Sequence, residues 1–247
     1  MQEEHKTSLG KVLFSAFTIA ATVGILAYFM LTEEGLKNLR HVLFHLQPVW
    51  LLWIAAGVLA GWLLEGYVLH LFCRHLNPEW TFGRSFYVGM LGLFYSSLAP
   101  FNMGEPMEIY TMTKMDMDAG KATSIIAVKS LVHHAVTFFY SLFLISFELN
   151  YFQTKVSNFA FITVFGLITN SIFIIGVLLF MVNEKLTDTL LHGAVGLLNR
   201  FRLKKLAEKL YNKAHGQLMV FHDCSKVIGN AVPLYVTATL LTLVQIT

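Results

Sequence analysis

The stretch that decides the fold is FAFITVFGLITNSIFIIGVLLFMV, residues 159–182, in which no residue is charged. The hydrocarbon core of a bilayer is about 30 Å thick, and a helix needs roughly 20 apolar residues to cross it. This stretch meets that length and predicts a membrane-spanning helix. Three further runs also meet it, and a fifth ends at the last residue. The predicted spans are about 12–31, 49–72, 122–147, 159–182 and 231–247.

The composition of the whole chain agrees with a membrane protein. Of its 247 residues, 55% are hydrophobic and only 13% are charged. A soluble domain carries about 25% charged residues, so this chain has roughly half the charge that a water-exposed surface needs. The sequence therefore predicts an all-α polytopic membrane protein, built as a helix bundle in a single transmembrane domain over 1–247. It excludes disorder, a coiled coil and a nucleic-acid-binding domain.

Residues 86–113 do not fit a simple span. Residues 86–99 are apolar but reach only about 21 Å as a helix, and the proline-rich break PFNMGEP follows at 100–106. This segment is either a full span with its exit loop at Pro100 or a re-entrant pair of half-helices. Lys and Arg accumulate in cytoplasmic loops. The re-entrant arrangement places more of the Lys and Arg residues on one side of the membrane than the full span does, so it is preferred. It predicts a multi-pass protein of the cell membrane with a cytoplasmic N-terminus.

The loop over residues 183–230 is basic and cytoplasmic in this scheme. Apolar residues recur within it at three- and four-residue steps, which predicts an amphipathic helix. That helix either lies on anionic lipids of the inner leaflet or packs beneath the membrane bundle, and the two interpretations are compatible. The apolar positions are Leu203, Leu206, Leu210, Ala214, Leu218 and Phe221.

The break at 100–106 is also the strongest candidate site. Asn102 and Gly104 permit a tight backbone there, and Pro106 suits the first turn of a new helix. A half-helix that begins near Pro106 would point its free amides into the membrane, where they favour an anion such as a phosphate. Broken helices survive at membrane depth only beside protein or a watery cavity. An ordinary surface turn remains the alternative.

Two charged residues fall within predicted spans. Glu65 lies in the middle of 49–72, and Lys129 lies in 122–147. A carboxylate at that depth is costly, so it is either functional or structurally paired. Its partner is Lys129, or else the group is protonated.

Other polar residues of the spans predict packing rather than chemistry. His133 and His134 are adjacent, so they face different directions on a helix and cannot chelate one ion. No metal site is predicted. Asn170 and Ser171 are expected to form hydrogen bonds between helices.

The segment PFNMGEPMEIYTMTK, residues 100–114, carries a family resemblance. Its pattern of Pro, Gly-Glu-Pro, Tyr, Met and Lys resembles the signature of the lysylphosphatidylglycerol synthase membrane-region family, also called flippase-like proteins. The general plan is similar over most of the chain. The resemblance implies a bundle that moves lipids or lipid-linked headgroups between leaflets. It also implies a role with aminoacylated phosphatidylglycerol, which lowers surface charge against cationic peptides and so supports antibiotic resistance.

The chain departs from that family pattern in two places. Glu108 stands where many members carry Arg, and Lys129 with Ser130 stands where many carry Glu-Arg. We hypothesise that the charges have exchanged places, so that Glu108 pairs with Lys129. Family members also usually continue for more spans, so the chain looks shortened at its C-terminus.

The function expected from these features is translocation of an anionic phospholipid, an aminoacyl-phospholipid or a lipid-linked headgroup. Enzyme motifs are missing, and no cofactor is expected. Two alternatives remain: the membrane part of a phosphatidylglycerol lysyltransferase system, or a lipid-binding scaffold that transports nothing. The expected partners are membrane phospholipids, not nucleic acid, and a homo-oligomer is left open. The candidate substrate-binding residues are Asn102, Gly104, Glu105, Pro106, Glu108, Tyr110, Lys114, Lys129 and Glu65.

Overall fold

The computed structural model describes residues 24, 47–98, 103–155, 159–200 and 204–247. Within these ranges the regular elements are all α-helices, which confirms the predicted fold class. The helices are α1 (Pro48–Leu76), α2 (Phe82–Leu98), α3 (Gly104–Lys114), α4 (Ala119–Lys155), α5 (Phe159–Val182), α6 (Glu184–Arg200), α7 (Lys204–Gly229) and α8 (Val232–Ile246).

Contacts along the chain define two compact units, Met1–Gly57 and Val58–Thr247. In the first unit the described residues are Gly24, Gln47 and the start of α1. The second unit holds the rest of α1 and all the other helices. The prediction of a single domain over 1–247 stays a prediction, and the predicted span 12–31 lies outside the described residues apart from Gly24.

Three of the described helices are long and apolar enough to cross a membrane. They are α1, the Ala119–Phe147 part of α4, and α5, and they contain the predicted spans 49–72, 122–147 and 159–182. Their outward side chains are large and apolar; Phe161, for example, is 73% exposed. Soluble monomers rarely expose continuous apolar surface of this kind, whereas lipid chains cover it in a bilayer.

The last predicted span, 231–247, is shorter in the structure. It forms α8, which has 15 residues and reaches about 22 Å, less than the thickness of a bilayer core. It is long and apolar enough to cross a membrane only when it is counted together with Ala214–Gly229. The two helical segments meet at a bend of 83°. Pro233 lies in the first turn of α8, a position that suits a new helix start.

The helices α2 and α3 flank the proline-rich break and pack closely against each other. A methyl group added at Gly104 would lie 2.5 Å from the carbonyl oxygen of Gly92 and in contact with Ser96 Oγ. The absence of a side chain at Gly104 therefore allows the two backbones to meet. Whether this hairpin lies inside the membrane, as predicted for 86–113, stays a prediction.

The predicted amphipathic helix is part of α7, and its C-terminal half packs on α4. The Gly120 amide donates to Gln217 Oε1 at 2.7 Å, and the hydroxyls of Ser124 and Ser225 lie 3.0 Å apart. Phe221, the last residue of the predicted apolar stripe, is buried. The C-terminal half of α7 therefore packs against the helix bundle, as one of the two interpretations predicted. The side chains of the lysines from 204 to 213 lie outside the described residues, so contact with anionic lipids stays a prediction.

The close approach of α2 and α3 predicts the effect of one methyl group. Gly104→Ala should reduce stability by about 1–3 kcal/mol, because overpacking must push the two helices apart. Gly176→Ala in α5 is the matched control, since its added methyl group meets nothing within 4 Å. Thermal unfolding in detergent measures both variants. Equal melting temperatures for the two would contradict the close contact.

Candidate functional site

The centre of the candidate site is the ammonium group of Lys129 on α4. Its Nζ lies 2.6 Å from Glu65 Oε1 on α1, and 2.8 and 3.0 Å from Oε1 and Oε2 of Glu108 on α3. All three side chains are nearly buried, with 12%, 11% and 5% of their surfaces exposed. These contacts confirm both pairings that the sequence predicted. One ammonium therefore joins three helices.

A fourth helix completes this group through a neutral side chain. Gln245 Nε2 on α8 donates a hydrogen bond of 3.0 Å to Glu65 Oε2, the oxygen that does not contact Lys129 as an ion pair. A buried carboxylate needs several donors to replace its lost hydration. We call Glu65, Lys129, Glu108 and Gln245 the Lys129 cluster.

The sequence explains how Glu108 reaches the cluster. It lies four residues after Gly104, so both are on the same face of α3, the face that meets α2. Opposite it, Gly92 has no side chain, and a methyl group there would lie 2.6 Å from Glu108 Cγ. The two glycines therefore provide the space in which the carboxylate of Glu108 approaches Lys129.

A third carboxylate lies beside the cluster. Glu105 is in the first turn of α3, where a negative charge interacts favourably with the helix dipole. Ser130 Oγ donates a hydrogen bond to Glu105 Oε1. The neighbours Lys129 and Ser130 thus bind the two acidic residues of α3, one each.

These groups surround a cavity of about 220 Å³, which we call the cluster cavity. Three carboxylates and one lysine face it, so acidic groups outnumber the ammonium when all are ionised. The cavity is lined by Glu65, Gly92, Leu93, Ser96, Gly104, Glu105, Glu108, Lys129, Ser130, His133, His134 and Gln245.

The structure divides the predicted substrate-binding residues into two groups. Glu65, Gly104, Glu105, Glu108 and Lys129 line the cluster cavity.

The remaining predicted residues are placed differently. Tyr110 and Lys114 are exposed and interact with each other, with Lys114 Nζ 5.5 Å from the centre of the Tyr110 ring. Pro106 is exposed in the first turn of α3, as the sequence predicted for a helix start. Asn102 lies outside the described residues. Tyr110, Lys114 and Pro106 are therefore not brought to the cluster cavity.

The polar residues expected to join helices do so in part. His134 Nδ1 lies 2.8 Å from Asn170 Oδ1, and Asn170 Nδ2 donates to the backbone carbonyl of His134 at 3.2 Å. The prediction for Asn170 is confirmed. The prediction for Ser171 is wrong, because its hydroxyl donates to Leu167 within α5. His133 and His134 both line the cluster cavity, which their packing role alone did not predict.

Comparison with known proteins shows which family the chain belongs to. The chain matches the family described as Lysylphosphatidylglycerol synthase TM region over residues 10–246. It belongs to this family. No curated protein and no solved structure matches it. Membership in the Lysylphosphatidylglycerol synthase TM region family and the apolar helices together identify the chain as a membrane protein. The family points to a membrane domain related to lysylphosphatidylglycerol synthesis or to a flippase.

Removal of the ammonium from the cluster should destabilise the bundle. Lys129→Met leaves Glu65 and Glu108 buried without their cation and should cost about 3–5 kcal/mol. Lys129→Met combined with Glu65→Gln and Glu108→Gln should recover much of this loss, because no uncompensated charge remains. Unfolding in detergent measures the difference. Lys121→Met on the same helix is the control, and an equally small effect of both single variants would contradict the role of Lys129.

Proposed function

We propose that this protein moves a phospholipid between the two leaflets of a membrane, with the headgroup passing through the cluster cavity. The observation that carries the proposal is a buried group of charges, held by α1, α3, α4 and α8, beside a cavity in an apolar protein. Ionisable residues at membrane depth are costly and mark pathways for polar substrates by default. Family membership supports the same general role.

The charges of the cavity suggest how a headgroup is received. A phosphate that approaches Lys129 competes with Glu65 and Glu108 for the same ammonium. A cationic part of a headgroup instead meets the carboxylates, among them Glu105, whose described hydrogen bond comes from the neutral Ser130. An aminoacyl-phospholipid carries both kinds of charge, so it suits the cavity better than a simple anionic lipid.

The N-terminus of α3 is a second feature suited to a phosphate. Gly104 and Glu105 line the cavity at the helix N-terminus, and Met103 provides no side-chain cap for the amides. Such amides bind anions, although the Glu105 carboxylate in the same turn already takes advantage of the dipole. We expect the phosphate to bind at the amides near Gly104, which line the cavity, and not at Lys114, which does not.

A flux measurement tests the proposal. Purified protein is reconstituted into liposomes with fluorescent lysylphosphatidylglycerol, whose headgroup carries both a phosphate and ammonium groups, and a membrane-impermeant reductant reports how fast the inner-leaflet lipid becomes accessible. We expect transport by the native chain. Glu65→Gln should slow it by about tenfold, the effect of losing roughly 1.4 kcal/mol of attraction between the carboxylate and the ammonium part of the moving headgroup.

Lys114→Met is the matched control for the flux measurement. Lys114 carries a charge on the exposed face of α3, beside Tyr110 and away from the cavity, so its removal should leave the flux unchanged. Native chain that binds lipid but transports none would contradict translocation and favour the scaffold. An unchanged flux in Glu65→Gln would exclude the cluster cavity as the path.

The family description supports a second candidate function. In this second proposal the chain is the membrane part of a phosphatidylglycerol lysyltransferase system and acts with a separate catalytic chain. This function predicts transfer of lysine from charged tRNA to phosphatidylglycerol by the complex. Thin-layer separation of radiolabelled lipids would detect the product, and its absence with the partner present would eliminate this candidate.

A further inference from the structure

A second cavity lies apart from the Lys129 cluster, between α6 and α7. Its volume is about 340 Å³, and we call it the α6–α7 cavity. It adjoins the end of α5, because His222 in its wall contacts the backbone carbonyl of Met181. Since α5 is long and apolar enough to span a bilayer, its end is expected where hydrocarbon gives way to lipid headgroups.

The wall of this cavity contains a buried histidine with one free ring nitrogen. His222 is only 4% exposed, and its Nδ1 lies 3.1 Å from the carbonyl oxygen of Met181. A carbonyl oxygen only accepts hydrogen bonds, so Nδ1 carries the hydrogen. When the ring is neutral, Nε2 is therefore an acceptor, and among the described residues it has no hydrogen-bond partner.

A carboxylate oxygen in the same cavity is also without a hydrogen bond. Asp188 Oδ1 is inaccessible to solvent, and the described part of the chain donates no hydrogen bond to it. His215 Nδ1 lies 3.5 Å from this oxygen, and His192 Nδ1 lies 3.5 Å from Oδ2, the other oxygen of a side chain that is 44% exposed as a whole. Buried polar groups in proteins are nearly always satisfied, so two unsatisfied acceptors in one cavity indicate a ligand that brings donors.

The charges around the cavity indicate that the ligand is a cation. Glu184 and Asp223 also line it. A hydrogen bond from Lys226 lowers the pKa of Glu184, which keeps this carboxylate ionised. A metal ion is not favoured, because the described residues include no group of three His, Cys, Asp or Glu side chains close enough to hold one. Lys185, at the same cavity, offers a positive charge to an attached phosphate.

We propose that the α6–α7 cavity binds a primary ammonium group, with His222 Nε2 and Asp188 Oδ1 as acceptors of its hydrogens. An ammonium has three donors and no acceptor, so it satisfies both oxygen and nitrogen without leaving a new unpaired group. The group belongs either to a lipid headgroup, as in phosphatidylethanolamine, or to a soluble amine. This binding site is separate from the cluster cavity and does not depend on the proposed translocation.

The first measurement compares two lipids whose headgroup nitrogen carries either three hydrogens or three methyl groups. Phosphatidylethanolamine and phosphatidylcholine with identical acyl chains are offered in equal amounts to the full chain in detergent, and native mass spectrometry counts the retained lipids. Phosphatidylcholine keeps the charge but has no donor hydrogen. We expect phosphatidylethanolamine to be retained about tenfold more, the effect of losing a charge-assisted hydrogen bond. Equal retention, with no binding of a soluble amine either, would overturn the proposal.

Soluble competitors separate the two sources of the ammonium. Phosphoethanolamine that binds alone, and at concentrations that displace the lipid, would assign the site to a soluble amine. If phosphoethanolamine fails to compete while phosphatidylethanolamine remains preferred, the site recognises a lipid headgroup. Phosphocholine, which has no N–H group, should not bind in either case, and its binding as tightly as phosphoethanolamine would contradict recognition of the ammonium.

Two conservative variants place the binding at the named atoms. Asp188→Asn removes the carboxylate with little change of shape. His222→Asn keeps a donor near the position of Nδ1 for the Met181 carbonyl but removes Nε2. Both variants should lose the preference for the ammonium ligand. Asp116→Asn is the control, because this exposed turn residue has φ 67°, which Asn also tolerates. A preference that persists in both cavity variants would overturn the assignment.

Discussion

The structure depends on the burial of one ammonium group. Lys129 brings a positive charge into a helix that is otherwise apolar enough to cross a membrane, and such a charge is stable there only with anionic partners. Glu65 and Glu108 supply them from α1 and α3. The position of α3 follows from this requirement. The glycines at its contact with α2 allow the two helices to approach closely enough for Glu108 to reach Lys129.

The sequence predicted the parts of this arrangement that follow from the free-energy cost of placing polar or charged groups in a membrane. An uninterrupted apolar run must be a span, and a charge within a span must have a partner, so the pairing of Lys129 with Glu65 was within reach. The pairing with Glu108 followed from the departures from the family pattern. Gln245 could not be found in this way, because it lies 180 residues from Glu65 and no local pattern marks the contact.

Helical geometry separates the predicted binding residues of α3 into two faces. Glu105 and Glu108 are three residues apart and share one face of α3, whereas Tyr110 and Lys114 fall on the opposite face. A single binding surface for all four was therefore inconsistent with one helix. The bend of 83° before α8 was harder to predict, because Gly229, Asn230 and Pro233 mark a break in the helix but do not fix the angle between the helices on either side.

The contact between Gln245 and Glu65 has a consequence for biosynthesis. During translation the carboxylate of Glu65 is made first, its counter-ion at position 129 follows, and the amide that completes its hydrogen bonding is made last. A nascent chain interrupted before α4 would hold an unneutralised acid in the bilayer, a state that membrane insertion disfavours. Until the later helices are made, the Glu65 carboxylate therefore has only water, or a bound proton, to compensate its charge.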